Sequence, residues 1–409
     1  MRCILSIFFC VVLIGCKDSP EKEEKSITSL KPGIYRVELE TMDEGKLAFN
    51  MKVNSANDLE IYNAEEIIEA EEITYHNDSV MVRFPAFEGF LIGKIEDSLV
   101  SGWFVKESLD RKVPFRALFG IETRYTIENE PKANIQGNWE VTFSPDNVEE
   151  IEKAKGIFDQ SGNIVTGTFR TLTGDYRFLE GVMDGNILKL SAFDGSHAYY
   201  FEAEVTDSTM DGAFYSGSHF KEPFIGIRND EFELDDPNSL TYLKEGYDRI
   251  EFEFPDSNGN MISLSDEAFD NKVVVLQIMG TWCPNCLDET RYLAGFYNDL
   301  DDPNLEFIGL AFEYAKTEEK AMEGLIRLRN DLDVRYPLLL AQFGTSNKKL
   351  AQEKLPMLNQ VLSYPTTIIL DKNKNVVSIH TGFNGPATGE KYEIFKKEFS
   401  ETISYLLNQ

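Results

Sequence analysis

Val273-Val274-Val275-Leu276-Gln277-Ile278-Met279-Gly280-Thr281-Trp282-Cys283-Pro284-Asn285-Cys286 decides the fold of the C-terminal part of the chain. An almost unbroken apolar run predicts a strand buried on both faces. The Gly-Thr break then leads into Cys-Pro-Asn-Cys, where a proline suits the first position of a helix. A lone Cys-x-x-Cys is shared by zinc sites, haem attachment and redox centres. Strand, Trp-Cys, Pro, Cys and amphipathic helix in that order point to thiol-disulfide chemistry.

The other cysteines are Cys3, Cys10 and Cys16. Arg2, the apolar run Ile4–Ile14 and Leu13-Ile14-Gly15-Cys16 read as an export signal, too short to span a bilayer as a mature helix. The last four residues resemble a bacterial lipobox, which implies cleavage before Cys16 and its lipidation; the alternative is an uncleaved signal anchor. Residues 1–15 are thus expected to be a lipoprotein signal peptide and 16–30 a flexible tether. The bulk is expected outside the cytoplasm, lipid-anchored to a bacterial membrane in the periplasm or cell envelope. Several acyl chains anchor far more firmly than one, at about 0.8 kcal/mol per buried methylene.

A chain of 409 residues with 42% hydrophobic content is long and apolar enough for two or three cored domains. Its formal charge of −30 argues against nucleic acid as a partner, since Lys and Arg must neutralise phosphate. It also offers no polybasic patch to an anionic membrane surface.

From Ile34 to Ile227, short runs of Val, Ile, Phe, Tyr and Thr alternate with Gly, Asp and Asn, which predicts antiparallel β structure. Ile34–Leu39 and Asn138–Phe143 begin similar blocks, each after a glycine. Ala86-Phe87-Glu88-Gly89 then echoes Ala192-Phe193-Asp194-Gly195, Gly102-Trp103-Phe104 echoes Gly212-Ala213-Phe214, and Pro114-Phe115 echoes Pro223-Phe224. Ordered matches at nearly constant spacing predict a tandem duplication, with β repeats over 31–126 and 135–229. Two such halves could close into one barrel or form two packed sheets. Asn63–Thr74 could instead pass for a short helix. His76, His197 and His219 are scattered and form no metal-ligating pattern, and Trp103, Trp139, Tyr199 and Tyr200 are expected to pack rather than line a ligand cavity. The region reads as a spacer or partner-docking unit. An acidic linker is expected over 230–246.

Beyond it, apolar runs at Lys272–Met279, Leu305–Phe312, Thr366–Leu370 and Val376–Ile379 alternate with helical patterns at Thr317–Leu332 and Gly389–Leu407, which predicts an α/β layered domain. Gly280–Cys286 together with Ser363-Tyr364-Pro365-Thr366-Thr367-Ile368-Ile369-Leu370-Asp371 resembles the thioredoxin fold. Within that fold it is most similar to the TlpA/ResA-type tethered reductases. The likeness covers 247–409; the β region resembles no family we recognise. The fold class expected is therefore multidomain, an N-terminal all-β part followed by a C-terminal α/β thioredoxin-like domain.

Cys283, preceding the helix, faces unpaired backbone N–H groups and the positive end of the helix dipole, which lowers a thiol below its ordinary value of about 8.5. It is the expected nucleophile, and Cys286, one turn in, the resolving thiol. The pair is the expected redox disulfide. Glu289 falls on the buried stripe with Leu293 and Phe296, where burial would raise its pKa and suit it to take the Cys286 proton. The resemblance likewise implies a functional Glu there, a cis Pro365, and substrate contacts from Tyr364 and Trp282. Two departures stand out: Gln277 where classical thioredoxins carry a titrating Asp, and Thr290 where a Pro usually follows that Glu. The resemblance further implies disulfide-bearing or thiol client proteins and a membrane thiol electron donor, and reductase as the direction.

No cofactor or metal is expected. Zinc would need two more soft ligands, haem attachment fails at Leu287, and a structural disulfide across two residues would staple almost nothing. The rival readings are a peroxiredoxin-like peroxidase, whose Pro-x-x-x-Thr-x-x-Cys signature is absent, and a ligand- or partner-binding lipoprotein with a redox-sensing dithiol.

Overall fold

The computed structural model describes residues 28–409. The expected signal peptide and Cys16 lie outside these residues. Two β units come first. Gly33–Glu40, opening the first, pairs antiparallel with Lys46–Ser55 on one side and with the last strand, Arg111–Phe119, on the other. Gly137–Phe143 does the same in the second unit, between Glu152–Ser161 and Phe220–Arg228. Each repeated motif falls on the equivalent place, as duplication requires. The Ala-Phe-acid-Gly segments fall at the same strand connection, the first as a turn and the second with Ala192 and Phe193 ending the strand Ile187–Phe193, while the two Gly-x-Phe and two Pro-Phe segments lie in the last two strands of their units.

The expected all-β part is present, as one antiparallel sheet and one barrel. The second unit is a closed eight-stranded barrel by itself, whereas the first is a nine-stranded sheet open between Glu66–Glu69 and Glu72–His76. The segment that could pass for a helix, Asn63–Thr74, forms these edge strands. Ala64 takes a left-handed φ of 50°, and Glu66–Glu69 folds back on Glu60–Asn63 with Ile68 opposite Ile61, so burying Ile68 against its neighbour outweighs the helical preference of Glu and Ala. The barrel interior is filled by Trp139, Phe143, Phe169, Phe201 and Phe224, all fully buried. Trp139 also donates its indole N–H to Ile135 O at 2.7 Å. The two units touch at equivalent strand connections: Phe84 and Phe193 meet edge to face at 6.0 Å, and Phe87 meets His197 at 5.0 Å.

The segment read as a linker is docked. Glu233 pairs with Lys155 and Arg170 of the barrel and Lys391 of the C-terminal helix. Beyond it a short hairpin, Glu253–Pro255 with Met261–Ser263, precedes a five-stranded sheet. Val273–Met279 is its centre, parallel to Leu305–Phe312 and antiparallel to Thr366–Leu370. Leu338–Gln342 and Val376–Thr381 form the edges. All seven residues of the central strand are buried, each apolar one worth about 1.5–3 kcal/mol. Helices α1 (Pro284–Leu300), α2 (Glu318–Asp331), α3 (Lys348–Lys354) and α4 (Glu390–Leu407) complete the domain. Thr317 caps α2 through its hydroxyl. Among the described residues, no helix is long and apolar enough to cross a membrane.

Candidate active site around Cys283 and Cys286

The central strand ends at Met279, and Gly280–Trp282 turn the chain so that Cys283 becomes the N-cap of α1. Its sulfur accepts the Cys286 N–H at 3.2 Å, meeting one of the amide groups a helix start leaves unpaired. The same thiol donates to Tyr364 O at 3.3 Å. That carbonyl precedes Pro365, whose peptide bond is cis. Both cysteines are free thiols. Burial, and next the adjoining Cys283 sulfur, push the Cys286 thiol well above its ordinary value. Cys286 therefore needs a proton acceptor before it can attack.

Glu289 lies one turn further along α1, fully buried. Burial raises it to about 7, while hydrogen bonds from Gln277 and Thr367 pull the other way. Gln277 Nε2 donates to one carboxylate oxygen and Thr367 Oγ1 to the other, each at 2.8 Å. Gln277 and Thr367 are register partners on adjacent strands, so their side chains rise together from one face of the sheet. Thr290 Oγ1 donates to Gln277 Oε1 at 2.9 Å. The two departures noted in the sequence thus belong to one network: the strand amide and the helix hydroxyl together hold Glu289.

Trp282 donates its indole N–H to Phe312 O at 3.0 Å and packs against Tyr364 and Tyr314, with ring centroids 5.6 Å away in each case. The loop beneath it is held by a residue the sequence reading missed. Glu313, just past the strand Leu305–Phe312, is buried and accepts from Thr281 N at 2.7 Å and Thr281 Oγ1 at 2.8 Å. Burial raises it to about 7. An acid directly following an apolar strand was the available signal. Cys283, Cys286, Glu289, Trp282, Tyr364 and Pro365 are thereby gathered at one end of the sheet.

A profile described as Redoxin matches residues 245–393. The C-terminal part of this chain is a Redoxin domain. Its fold is the TlpA/ResA-type thioredoxin fold, of the thiol-disulfide oxidoreductase kind. Similar proteins include thioredoxin-like protein YneN of Bacillus subtilis (strain 168), 26% identical over 34% of this chain and 73% of YneN. Thiol-disulfide oxidoreductase ResA of the same organism is 28% identical over 34% of this chain and 69% of ResA. A thiol-disulfide oxidoreductase structure from Bacteroides fragilis overlaps 36% of this chain and 99% of its own, with TM-score 0.28 and 17% identity.

The Redoxin domain carries its dithiol against the β units. Cys283 is only 5% exposed, although it is the thiol placed at the helix start. The barrel turn Thr171–Arg177 lies on this side of the Redoxin domain, through residues that no sequence pattern had marked. Arg177 reaches Asp288 Oδ2 at 2.7 Å and Pro284 O at 3.3 Å, and also pairs with Glu66 of the open sheet. Near them, the buried Asp194 and the partly buried His197 pair at 2.9 Å. Among the described residues, no group of three His, Cys, Asp or Glu is arranged to hold a metal ion.

Proposed function

We propose that this protein is a membrane-tethered, extracytoplasmic thiol-disulfide oxidoreductase that reduces disulfides in client proteins. Cys283 attacks one sulfur of the client disulfide, forming a mixed disulfide and releasing the client's other sulfur as a thiolate. Cys286 gives its proton to Glu289 and attacks Cys283, so the dithiol leaves oxidised and the client leaves with two thiols. A membrane thiol donor returns the two electrons. Trp282, Tyr364 and Pro365 orient the client, and Cys16 carries the lipid.

The observation carrying this reading is the placement of Cys283 Sγ on the Cys286 amide at the start of α1 with the buried Glu289 one turn beyond Cys286. Lipidation and location rest on Leu13–Cys16 alone.

The test is the reduction potential of the full chain in defined thiol buffers, with Cys283→Ser as the control. A value at or below about −250 mV supports a reductase; one of about −120 to −180 mV supports an oxidase or isomerase instead. A pair that does not cycle overturns the enzyme reading. Radiolabelled palmitate incorporation, lost in Cys16→Ala, tests the anchor.

A further inference from the structure

We propose that the barrel turn Thr171–Arg177 is a cap seated on the client-docking face of the dithiol, and that a client takes the same face only by displacing it. The inference rests on the exchange chemistry proposed above. In disulfide exchange the attacked sulfur must come into contact with Cys283 Sγ, which brings the client backbone close to the residues around that sulfur. Those residues are already engaged. Ser363 Oγ donates to Thr173 O at 2.9 Å. Gly385 N–H donates to Asp175 Oδ2 at 2.6 Å, and Arg170 Nε donates to Asn384 Oδ1 at 2.8 Å. Arg177 holds Asp288 and the Pro284 carbonyl. Gly174, at φ 150°, packs so closely on Asn285, between the two cysteines, that a Cβ there would stand 1.9 Å from Asn285 Nδ2. Gly382, at φ 77°, leaves the same kind of room for Leu172 O, 2.7 Å from where its Cβ would be.

The closed arrangement is not fully paired. Asn285 Oδ1 and Arg177 Nε are buried without a hydrogen-bond partner among the described residues. Unpaired buried polar groups oppose closure, so a partner that satisfies them competes well with the cap.

The cap also specifies its competitor. The face offers a hydroxyl donor at Ser363, an N–H donor at Gly385, a carboxylate at Asp288, and an amide at Asn285 that admits only a small residue. It fits a disulfide-bearing segment that presents a backbone carbonyl, a glycine, an acid and then a base, in the order of Thr173, Gly174, Asp175 and Arg177.

The test uses the reduced full chain and reads modification of Cys283 by peptide mass. Rates are compared for N-ethylmaleimide and for a maleimide carrying a long polyethylene glycol chain; their ratio cancels intrinsic thiol reactivity and does not depend on whether the pair cycles. The wild type should discriminate against the large reagent at least tenfold more than free glutathione does. Gly174→Val, which cannot pack on Asn285, and Asp175→Ala, which releases Gly385, should each remove most of that discrimination. If Gly174→Val fails to fold, Asp175→Ala decides. Discrimination no greater than that of glutathione, or unchanged in the folded variants, overturns the cap. In Cys286→Ser, which holds the mixed disulfide, a cystine peptide carrying Gly-Asp-Tyr-Arg beside the disulfide should couple faster than one with Ala for Asp and Arg; equal rates overturn the template.

Discussion

Replacing Glu289 by Gln should make the Redoxin domain more stable in alkali and slower in resolution. The Glu289 carboxyl is fully buried, and burial moves it from 4.5 to about 7. That difference corresponds to about 3 kcal/mol between its protonated and ionised forms. Because the folded value lies above the unfolded one, the native state holds the proton more tightly. The associated stability is fully present below about pH 4.5, declines as pH rises, and is lost above about pH 7. Glutamine cannot ionise, and its amide keeps the length needed to meet Gln277 and Thr367. The gap between Glu289→Gln and wild type should therefore widen in favour of the variant by about 3 kcal/mol from about pH 4 to pH 8. Urea titrations of both reduced proteins across that range measure it. Glu313 and Asp175, also raised by burial, are common to both proteins and cancel in the comparison. The same substitution removes the acceptor for the Cys286 proton, so release of a trapped mixed disulfide should slow by about 10²–10⁴-fold. Parallel stability curves would refute the placement of an ionising carboxyl at Glu289, and an unchanged release rate would refute its role.

Cys286→Ser should leave the first attack intact and accumulate a mixed disulfide, visible on non-reducing gels; Cys283→Ser should form none. Thr367→Val removes a hydrogen bond that lowers the Glu289 value, so the pH at which resolution becomes fast should move upward, seen in its pH–rate profile. Glu313→Ala strands the Thr281 N–H beneath Trp282 and should cost about 1–3 kcal/mol in denaturant titration. Arg177→Met strips Glu66 of its cation and leaves Asp288 with the half-exposed Arg291 alone, a loss of about 3–5 kcal/mol measurable by thermal unfolding.

The sequence made the dithiol centre legible because its signals are local. An apolar strand, a proline at the helix start and a three-residue spacing lie within one short stretch, and Glu289 follows from helical periodicity alone. Gln277 was visible only as a departure. Its role as a donor to Glu289 depends on strand register, which pairs it with Thr367 some ninety residues away in the chain. Leu338–Gln342 and α3 escaped notice because a five-residue edge strand and a seven-residue helix carry too little periodicity to stand out. The duplication was readable from ordered Gly and aromatic matches, but which copy closes was not. Closure is decided by whether Ile164–Thr171 finds Leu179–Asp184, whereas the open unit leaves its corresponding edges apart. The cap could not be read at all: Gly174, Asp175 and Arg177 meet their partners across more than a hundred residues, and nothing in their neighbourhood distinguishes them from ordinary turn residues.

The open seam of the first β unit bears on how the protein behaves in a crowded compartment. Unpaired strand edges are templates on which other chains can add, and a gap between two of them invites a foreign strand. Here the edges are written Glu65-Glu66-Ile67-Ile68-Glu69-Ala70-Glu71-Glu72. An incoming strand would have to strip water from the exposed carboxylates of Glu65, Glu69, Glu71 and Glu72 and bring its own backbone past them. The acidity that looked like a diffuse property of the whole chain is therefore concentrated where uncontrolled self-association would begin, and it works as a gatekeeper.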